Sequence, residues 1–226
     1  MNVVNNTMLD ELLNFIAPHY CCSCGQKGQI LCHRCKSDIN FDGLNYCLLC
    51  GSPIIHSCTR CRPAYAKSWV VGKREGALKA LINQYKFSRA RSAYRPLAQM
   101  LADTLPQLPP DTVIVPIPTI APHVRARGYD QVKLMAKQLA KLKSCAYAPL
   151  LARKTNTVQH GATRTKRQQQ AKQAFCCRKQ LNPSTPYLIV DDISTTGATV
   201  NVAAKVLKAA GATKVWVAVV AWQPHK

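Results

Sequence analysis

The apolar positions of the chain alternate between two periods. Residues 7–17 place Met8, Leu9, Leu12, Leu13 and Ile16 at helical spacing ahead of Pro18. That pattern predicts a short amphipathic helix packed on the rest of the protein. From residue 68 onward, short branched runs alternate with 3.6-period stretches. Ser68-Trp69-Val70-Val71, Thr112-Val113-Ile114-Val115, Leu150-Leu151, Leu188-Ile189-Val190 and 214–222 have the length and branching of buried strands. Helices are predicted over 77–87 (Leu78, Leu81, Ile82, Tyr85), over 94–105, and through Val132, Leu134, Met135, Leu139 and Leu142. Another starts near Ala198 and runs through Val202, Val206 and Leu207 to a stop at Gly211. Strands alternating with helices make a Rossmann-like α/β fold, a parallel sheet with crossovers. Ligands on such a sheet lie at the carboxyl ends of the strands.

Two of those strand ends carry candidate chemistry. One runs into Pro116-Ile117-Pro118. The other runs into Asp191-Asp192 and then a loop of small residues, Ser194-Thr195-Thr196-Gly197-Ala198-Thr199, where the next helix begins. Backbone N–H groups at a helix N-terminus point at an anion, and the helix dipole favours its charge. The two carboxylates cannot serve a phosphate; as acceptors they suit the hydroxyls of an attached sugar, or a metal. A strand–loop–helix with a capping Ser or Thr shares some of these parts, but the ordered combination favours a sugar-phosphate site.

The N-terminal part has a different grammar. Cys21-x-x-Cys24, seven residues and Cys32-x-x-Cys35 recur as Cys47-x-x-Cys50, seven residues and Cys58-x-x-Cys61, with Gly25 and Gly51 after the second Cys of each unit. A Cys-x-x-Cys turn brings two thiolates to one ion, and two turns complete a tetrahedral S4 site for Zn2+. Four thiolates close the coordination sphere, so two structural zinc ions are expected, supplying much of the folding energy of a segment with little core. The equal spacing favours two consecutive ribbons; a cross-braced pairing of the first turn with the third is the alternative. Cys22, His33 and His56 break the repeat and read as bystanders. The cysteine pattern stops near residues 63–66, which predicts a zinc-ribbon domain over 1–66 and an α/β domain over 67–226.

Net charge changes the picture of partners. Thirty-one basic against ten acidic residues leave +21, an excess that suits a polyanion, an anionic membrane face or a phosphorylated small molecule. From Gln131 onward the only carboxylates are Asp191 and Asp192. Lys86, Arg89, Arg91 and Arg95 interleave with Tyr85, Phe87 and Tyr94. That mixture fits either a single nucleic-acid strand, cations on phosphates and rings under bases, or a solvated face with its aromatics turned inward. Residues 153–179, with Arg153, Arg164, Arg167 and Gln168-Gln169-Gln170, read as a basic loop that closes on a diphosphate or contacts nucleic acid. No apolar run has membrane-spanning length. Met1-Asn2-Val3-Val4-Asn5-Asn6 has no basic start and no apolar core of a secretory signal, so the expected compartment is the cytoplasm, with the inner face of the membrane as a peripheral location.

The stretch 187–199 resembles the phosphoribosyl diphosphate signature of the type I phosphoribosyltransferases. That resemblance implies Asp191 and Asp192 on the ribose hydroxyls and Ser194, Thr195, Thr196, Gly197, Ala198 and Thr199 around the 5′-phosphate. The chain as a whole resembles the ComF family of competence-associated proteins, in Cys21–Cys61, Lys86-Phe87, Val115-Pro116-Ile117-Pro118, Arg127-Gly128-Tyr129-Asp130-Gln131, the series Arg153, Gln159, Arg167, Ala174-Phe175, and Val190–Thr199. It departs from the family at Tyr129, Asp130 and Gln170, where Phe, Asn and Asn are usual. The resemblance implies a cytoplasmic protein of natural transformation acting on incoming single-stranded DNA, with a phosphoribosyl diphosphate pocket.

Two function classes follow. In one, an enzyme transfers the phosphoribosyl group to a nitrogen nucleophile, with Asp191 and Asp192 as the catalytic pair and Mg2+ bridging diphosphate and ribose. The turn at Pro116, Ile117 and Pro118 and cations such as Arg125, Arg127, Arg153 or Arg167 then receive the departing diphosphate. In the other, an accessory factor binds a sugar phosphate at the same loop and tracks single-stranded DNA with Lys86, Arg89, Arg91, Arg125, Arg127, Arg153, Arg164 and Arg167, alongside other DNA-uptake proteins. The combined expectation is a phosphoribosyltransferase fold with its ligand site intact, working in DNA uptake.

Overall fold

The structure, a computed structural model, describes residues 19–39, 46–53, 58–88, 90–153 and 174–223. The helix expected over 7–17, His56, and the basic candidates Arg89, Arg164 and Arg167 lie outside the described residues.

The described residues open with the two cysteine units, the first carrying a short helix α1 (His33–Ser37), and then enter the sheet. In order come β1 (Lys67–Lys73), α2 (Gly76–Phe87), a 3-10 turn at Arg91–Ala93, α3 (Tyr94–Thr104), β2 (Val113–Pro116), α4 (Ala121–Arg127), α5 (Gln131–Leu142) and β3 (Ala146–Tyr147). They are followed by β4 (Leu151–Arg153), β5 (Phe175–Cys177), β6 (Pro186–Ser194), α6 (Ala198–Ala209) and β7 (Lys214–Trp222). Five strands form one sheet in the order β1-β7-β6-β2-β3, with every neighbouring pair parallel.

The side-chain alternation of the central strands splits the core in two. Leu188 and Val190 of β6 and Ala218 and Val220 of β7 face one side, where Leu78, Leu81 and Ile82 of α2, Leu97 and Leu101 of α3, and Met135 and Leu139 of α5 cover them. Tyr187 and Ile189, with Val215, Val217 and Val219, face the other, beneath Val200, Ala203, Ala204 and Leu207 of α6. A parallel sheet covered on both faces has near-continuous apolar strands. Each fully buried Leu or Ile here contributes about 1.5–3 kcal/mol.

The strand order places a switch point between β2 and β6. From β2 the chain crosses through α5 to β3 on one side; from β6 it crosses through α6 to β7 on the other. Crossovers in opposite directions that share one hand put α5 and α6 on opposite faces, and a crevice opens between the ends of β2 and β6. Pro116 ends β2 opposite Val190, Asp191 follows Val190 in β6, which runs on beside β7 to Ser194, and the Ile117 N–H donates to the Val190 carbonyl at 2.9 Å.

One strand expectation is corrected. Leu150-Leu151 does not join the parallel sheet: Ala146–Tyr147, directly after α5, takes the edge beside β2. Leu151–Arg153 instead pairs antiparallel with Phe175–Cys177. Leu150, Leu151 and Phe175 are buried in the α6-side core, so their apolar character reflects that packing and not membership of the sheet.

Candidate functional site

The tip of β6 sends its two acids to opposite sides. Asp191 is 9% exposed and Asp192 5%. Asp192 Oδ2 lies 2.9 Å from Lys86 Nζ at the end of α2 and accepts from Gln131 Nε2, at the start of α5, at 3.4 Å. The other amide atom of that glutamine, Oε1, is buried without a partner. Asp191 Oδ1 accepts the Asp192 backbone N–H at 2.8 Å. Burial, and then the Asp192 charge beside it, push the Asp191 carboxyl up to about 8, against the opposing pull of Lys86 and Arg153. Hydroxyl donors or a cation at Asp191 would favour its ionised form and oppose that shift.

Beyond the acids, Ser194 is buried while Thr195, Thr196, Ala198 and Thr199 are exposed. Gly197 caps α6 with φ +68°, without a side-chain cap, and Thr196 Oγ1 accepts from the Ala198 N–H at 3.4 Å. The first-turn N–H groups of α6 have no intrahelical partner, an arrangement that can hold an anion. Gly197 is required twice over. Its φ is left-handed, and a Cβ there would stand 2.4 Å from the Leu48 carbonyl oxygen.

Across the crevice, Pro116 and Ile117 are buried and Pro118 half-buried. Arg153 on β4 donates from Nε to the Pro118 carbonyl at 2.7 Å and stacks its guanidinium 5.0 Å from the Phe175 ring. Arg127, at the end of α4, donates from Nε to the Lys86 carbonyl at 2.8 Å and lies 5.9 Å over Phe87. Its Nη1 is buried without a partner. Lys86 thus meets Asp192 and Arg153 meets Pro118 at the crevice, with Arg127 against Lys86; Arg153 is exposed, as are Arg91 and Arg125, for which no crevice contact is seen among the described residues. Of the interleaved aromatics, Tyr85 is buried, Tyr94 half-buried and Phe87 70% exposed.

The cysteines assemble consecutively. Cys21, Cys24, Cys32 and Cys35 form one group and Cys47, Cys50, Cys58 and Cys61 the other, each with its sulfurs within 4.8 Å of one another. Cys24 Sγ and Cys32 Sγ are 3.6 Å apart, and Cys50 Sγ and Cys58 Sγ 3.7 Å. Thiolates about 2.3 Å from a tetrahedral ion have edges of about 3.8 Å, so both groups fit Zn2+ and the cross-braced alternative falls away. Gly25 and Gly51 take positive φ, +75° and +73°, as the turns demand. Both units close with the same isolated bridge, Tyr20 to Lys27 and Tyr46 to Pro53.

No protein-family model matches the chain. It is 28% identical to competence protein F of Haemophilus influenzae (strain ATCC 51907 / DSM 11121 / KW20 / Rd) over 165 residues, 69% of this chain and 72% of that protein. Among solved structures, one described as the structure of the allosteric regulatory enzyme of purine biosynthesis matches with a TM-score of 0.43 and 21% identity, over 57% of this chain and 25% of that one. The Rossmann-like parallel sheet expected of a type I phosphoribosyltransferase-like chain is present, as are the two cysteine groups in front of it.

Two positions that depart from the ComF pattern, Tyr129 and Asp130, have structural roles here. Asp130 caps α5, its Oδ1 accepting the Lys133 N–H at 3.0 Å and the Thr119 hydroxyl at 2.9 Å; Asn caps a helix equally well. Tyr129 stacks on Tyr85 at 5.5 Å and donates its hydroxyl to the Tyr85 carbonyl. Gln170 lies outside the described residues. Gln131 was not singled out from the sequence as a site residue, although it ends the Arg127–Gln131 motif, because only the fold brings it to Asp192.

Proposed function

We propose that this chain is a phosphoribosyltransferase-fold competence protein that binds phosphoribosyl diphosphate at the β2–β6 crevice and single-stranded DNA along its basic surface during natural transformation. The observation that carries the reading is the pairing, at the switch point, of two buried acids with a glycine-dependent loop at a helix N-terminus. Asp191 and Asp192 would take the ribose hydroxyls, and residues 194–199 the 5′-phosphate. Lys86, Arg127 and Arg153 would face the diphosphate beside Pro116–Pro118. The oxygen donors of Asp191 and Asp192 suit a hard cation, and bound Mg2+ would neutralise the diphosphate. The matched protein's name supports the role in competence, and the +21 charge supports a polyanionic partner. In this reading the zinc ribbons of 1–66 precede the ligand domain of 67–226, and the protein works in the cytoplasm beside other DNA-uptake proteins. Among the described residues no helix is long and apolar enough to cross a membrane.

A second reading, turnover as a phosphoribosyltransferase, draws support from Arg153 at the Pro118 carbonyl, where a departing diphosphate would need positive charge. A C1–N bond to a base or amine would form as the C1–O bond to diphosphate breaks. Calorimetry with phosphoribosyl diphosphate and Mg2+ tests the common site: wild type is expected to bind and Asp191→Asn Asp192→Asn is not. In a competent host the same variant should lose transformation while retaining single-strand binding; unchanged transformation refutes the working pocket. Diphosphate released only with a particular acceptor would select the second reading.

A further inference from the structure

The second cysteine unit is built against the phosphate loop. The turn Cys47-Leu48-Leu49-Cys50 presents its backbone to Gly197, whose missing Cβ would lie 2.4 Å from Leu48 O, 2.6 Å from Leu48 C and 3.0 Å from Leu49 N. Tyr65 accepts the Leu48 N–H on its hydroxyl at 3.0 Å, and the Leu48 side chain is buried in the α6-side core. The Ala64 N–H donates to Asn201 Oδ1, in the first turn of α6, at 2.8 Å. On the other flank Tyr46 stacks on Trp222 at 5.7 Å. Trp222 is the register partner of Ser194, where the loop leaves its strand. A Cβ on Gly51 would meet that indole at 2.6 Å.

The turn's own backbone-to-backbone hydrogen bonds reach no further than the turn itself, with Cys47 N–H donating to Ser52 O at 2.8 Å. It is closed by Gly51 N–H to Cys47 O at 2.6 Å and Cys50 N–H to Cys47 O at 3.3 Å, and its only strand pairing among the described residues is the single bridge of Tyr46 with Pro53. A segment of this kind keeps its conformation through its metal. The first cysteine group belongs to the core on the opposite face, with Leu78 and Leu81.

We propose that the second cysteine group is a working part of the sugar-phosphate site: the metal it holds sets the position of residues 194–199, and the first group has no such influence. The proposal rests on the sugar-phosphate reading above for its ligand, but not for the coupling itself. By linkage the effect is reciprocal, so ligand in the loop must raise the metal affinity of the second group alone.

The test compares full-length Cys50→Ser Cys61→Ser with Cys24→Ser Cys35→Ser. It reads phosphoribosyl diphosphate affinity by calorimetry and backbone amide exchange over 194–201. The second-group variant is expected to bind about tenfold more weakly or worse and to exchange faster in the loop, while the first-group variant matches wild type. Should a cysteine pair prevent folding, Tyr65→Phe retains every ligand sulfur and loosens only the turn. It is expected to speed loop exchange, and ligand is expected to raise the concentration of a chromogenic chelator needed, at equilibrium, to remove one of the two metals. Equal effects from both cysteine pairs would overturn the coupling, as would loop exchange that is unchanged when the second group is broken. Wild type that fails to bind phosphoribosyl diphosphate would overturn the ligand reading alone, and the exchange comparison would still decide the coupling.

Discussion

Replacing Gly197 by alanine separates backbone strain from steric conflict, because the chain supplies its own control. Gly197 has φ +68° and Gly128, the C-cap of α4, has φ +81°. Both variants therefore incur the left-handed cost of an L-residue, about 1–2 kcal/mol. At Gly128 a Cβ meets nothing within 4 Å, whereas at Gly197 it falls 2.4 Å from a carbonyl oxygen and 2.6 Å from its carbon. Those atoms are backbone and cannot rotate away, so turn and loop must part by roughly an ångström, an overpacking cost of about 1–3 kcal/mol. Gly197→Ala should thus lose about 2–5 kcal/mol in all. For a chain of this length that lowers Tm by on the order of 4–20 °C. Urea denaturation of the metal-loaded protein, followed by circular dichroism, measures both variants on one scale. If Gly197→Ala falls within about 0.5 kcal/mol of Gly128→Ala, the close approach of the Leu48 turn to the loop is wrong.

Lys86→Met leaves the buried Asp192 carboxylate without its cation and should cost about 3–5 kcal/mol near neutral pH. Adding Asp192→Asn should recover much of that loss in the same denaturation assay; additive losses would refute the pairing. Because the folded protein holds the Asp191 proton up to about 8, against 3.8 for the free carboxyl, its contribution is complete below about pH 4 and declines as pH rises through 8. Stability measured at pH 5, 6.5 and 8 should fall across that window, and Asp191→Asn should flatten the fall. Metal analysis of the purified protein should find two zinc ions per chain, and stripping them with a chelator should melt the N-terminal segment before the sheet. Single-strand affinity should drop steeply with salt, its logarithmic slope near −0.7 for each phosphate contacted, and a flat salt dependence would refute electrostatic tracking.

What the sequence determined by itself is whatever depends on residues near one another along the chain. The spacing of Cys47 to Cys50 and of Cys58 to Cys61 sets which sulfurs one turn can present. Branched runs such as Leu188–Val190 read as strands because burial on both faces demands them, and Asp191-Asp192 followed by Gly197 reads as a ligand loop because strand tip, turn and helix start are contiguous. Tertiary structure alone decided what comes from far along the chain. It took Lys86 out of a basic, aromatic-rich stretch and set it on Asp192, brought Gln131 to the same carboxylate, and left Phe87 rather than Tyr85 in solvent. It also gave the sheet edge to Ala146–Tyr147 over Leu150-Leu151, whose apolar side chains serve a different core. The second metal turn lies against Gly197 for the same reason: packing of distant segments is chosen by the surface they bury together, and no local spacing encodes that choice.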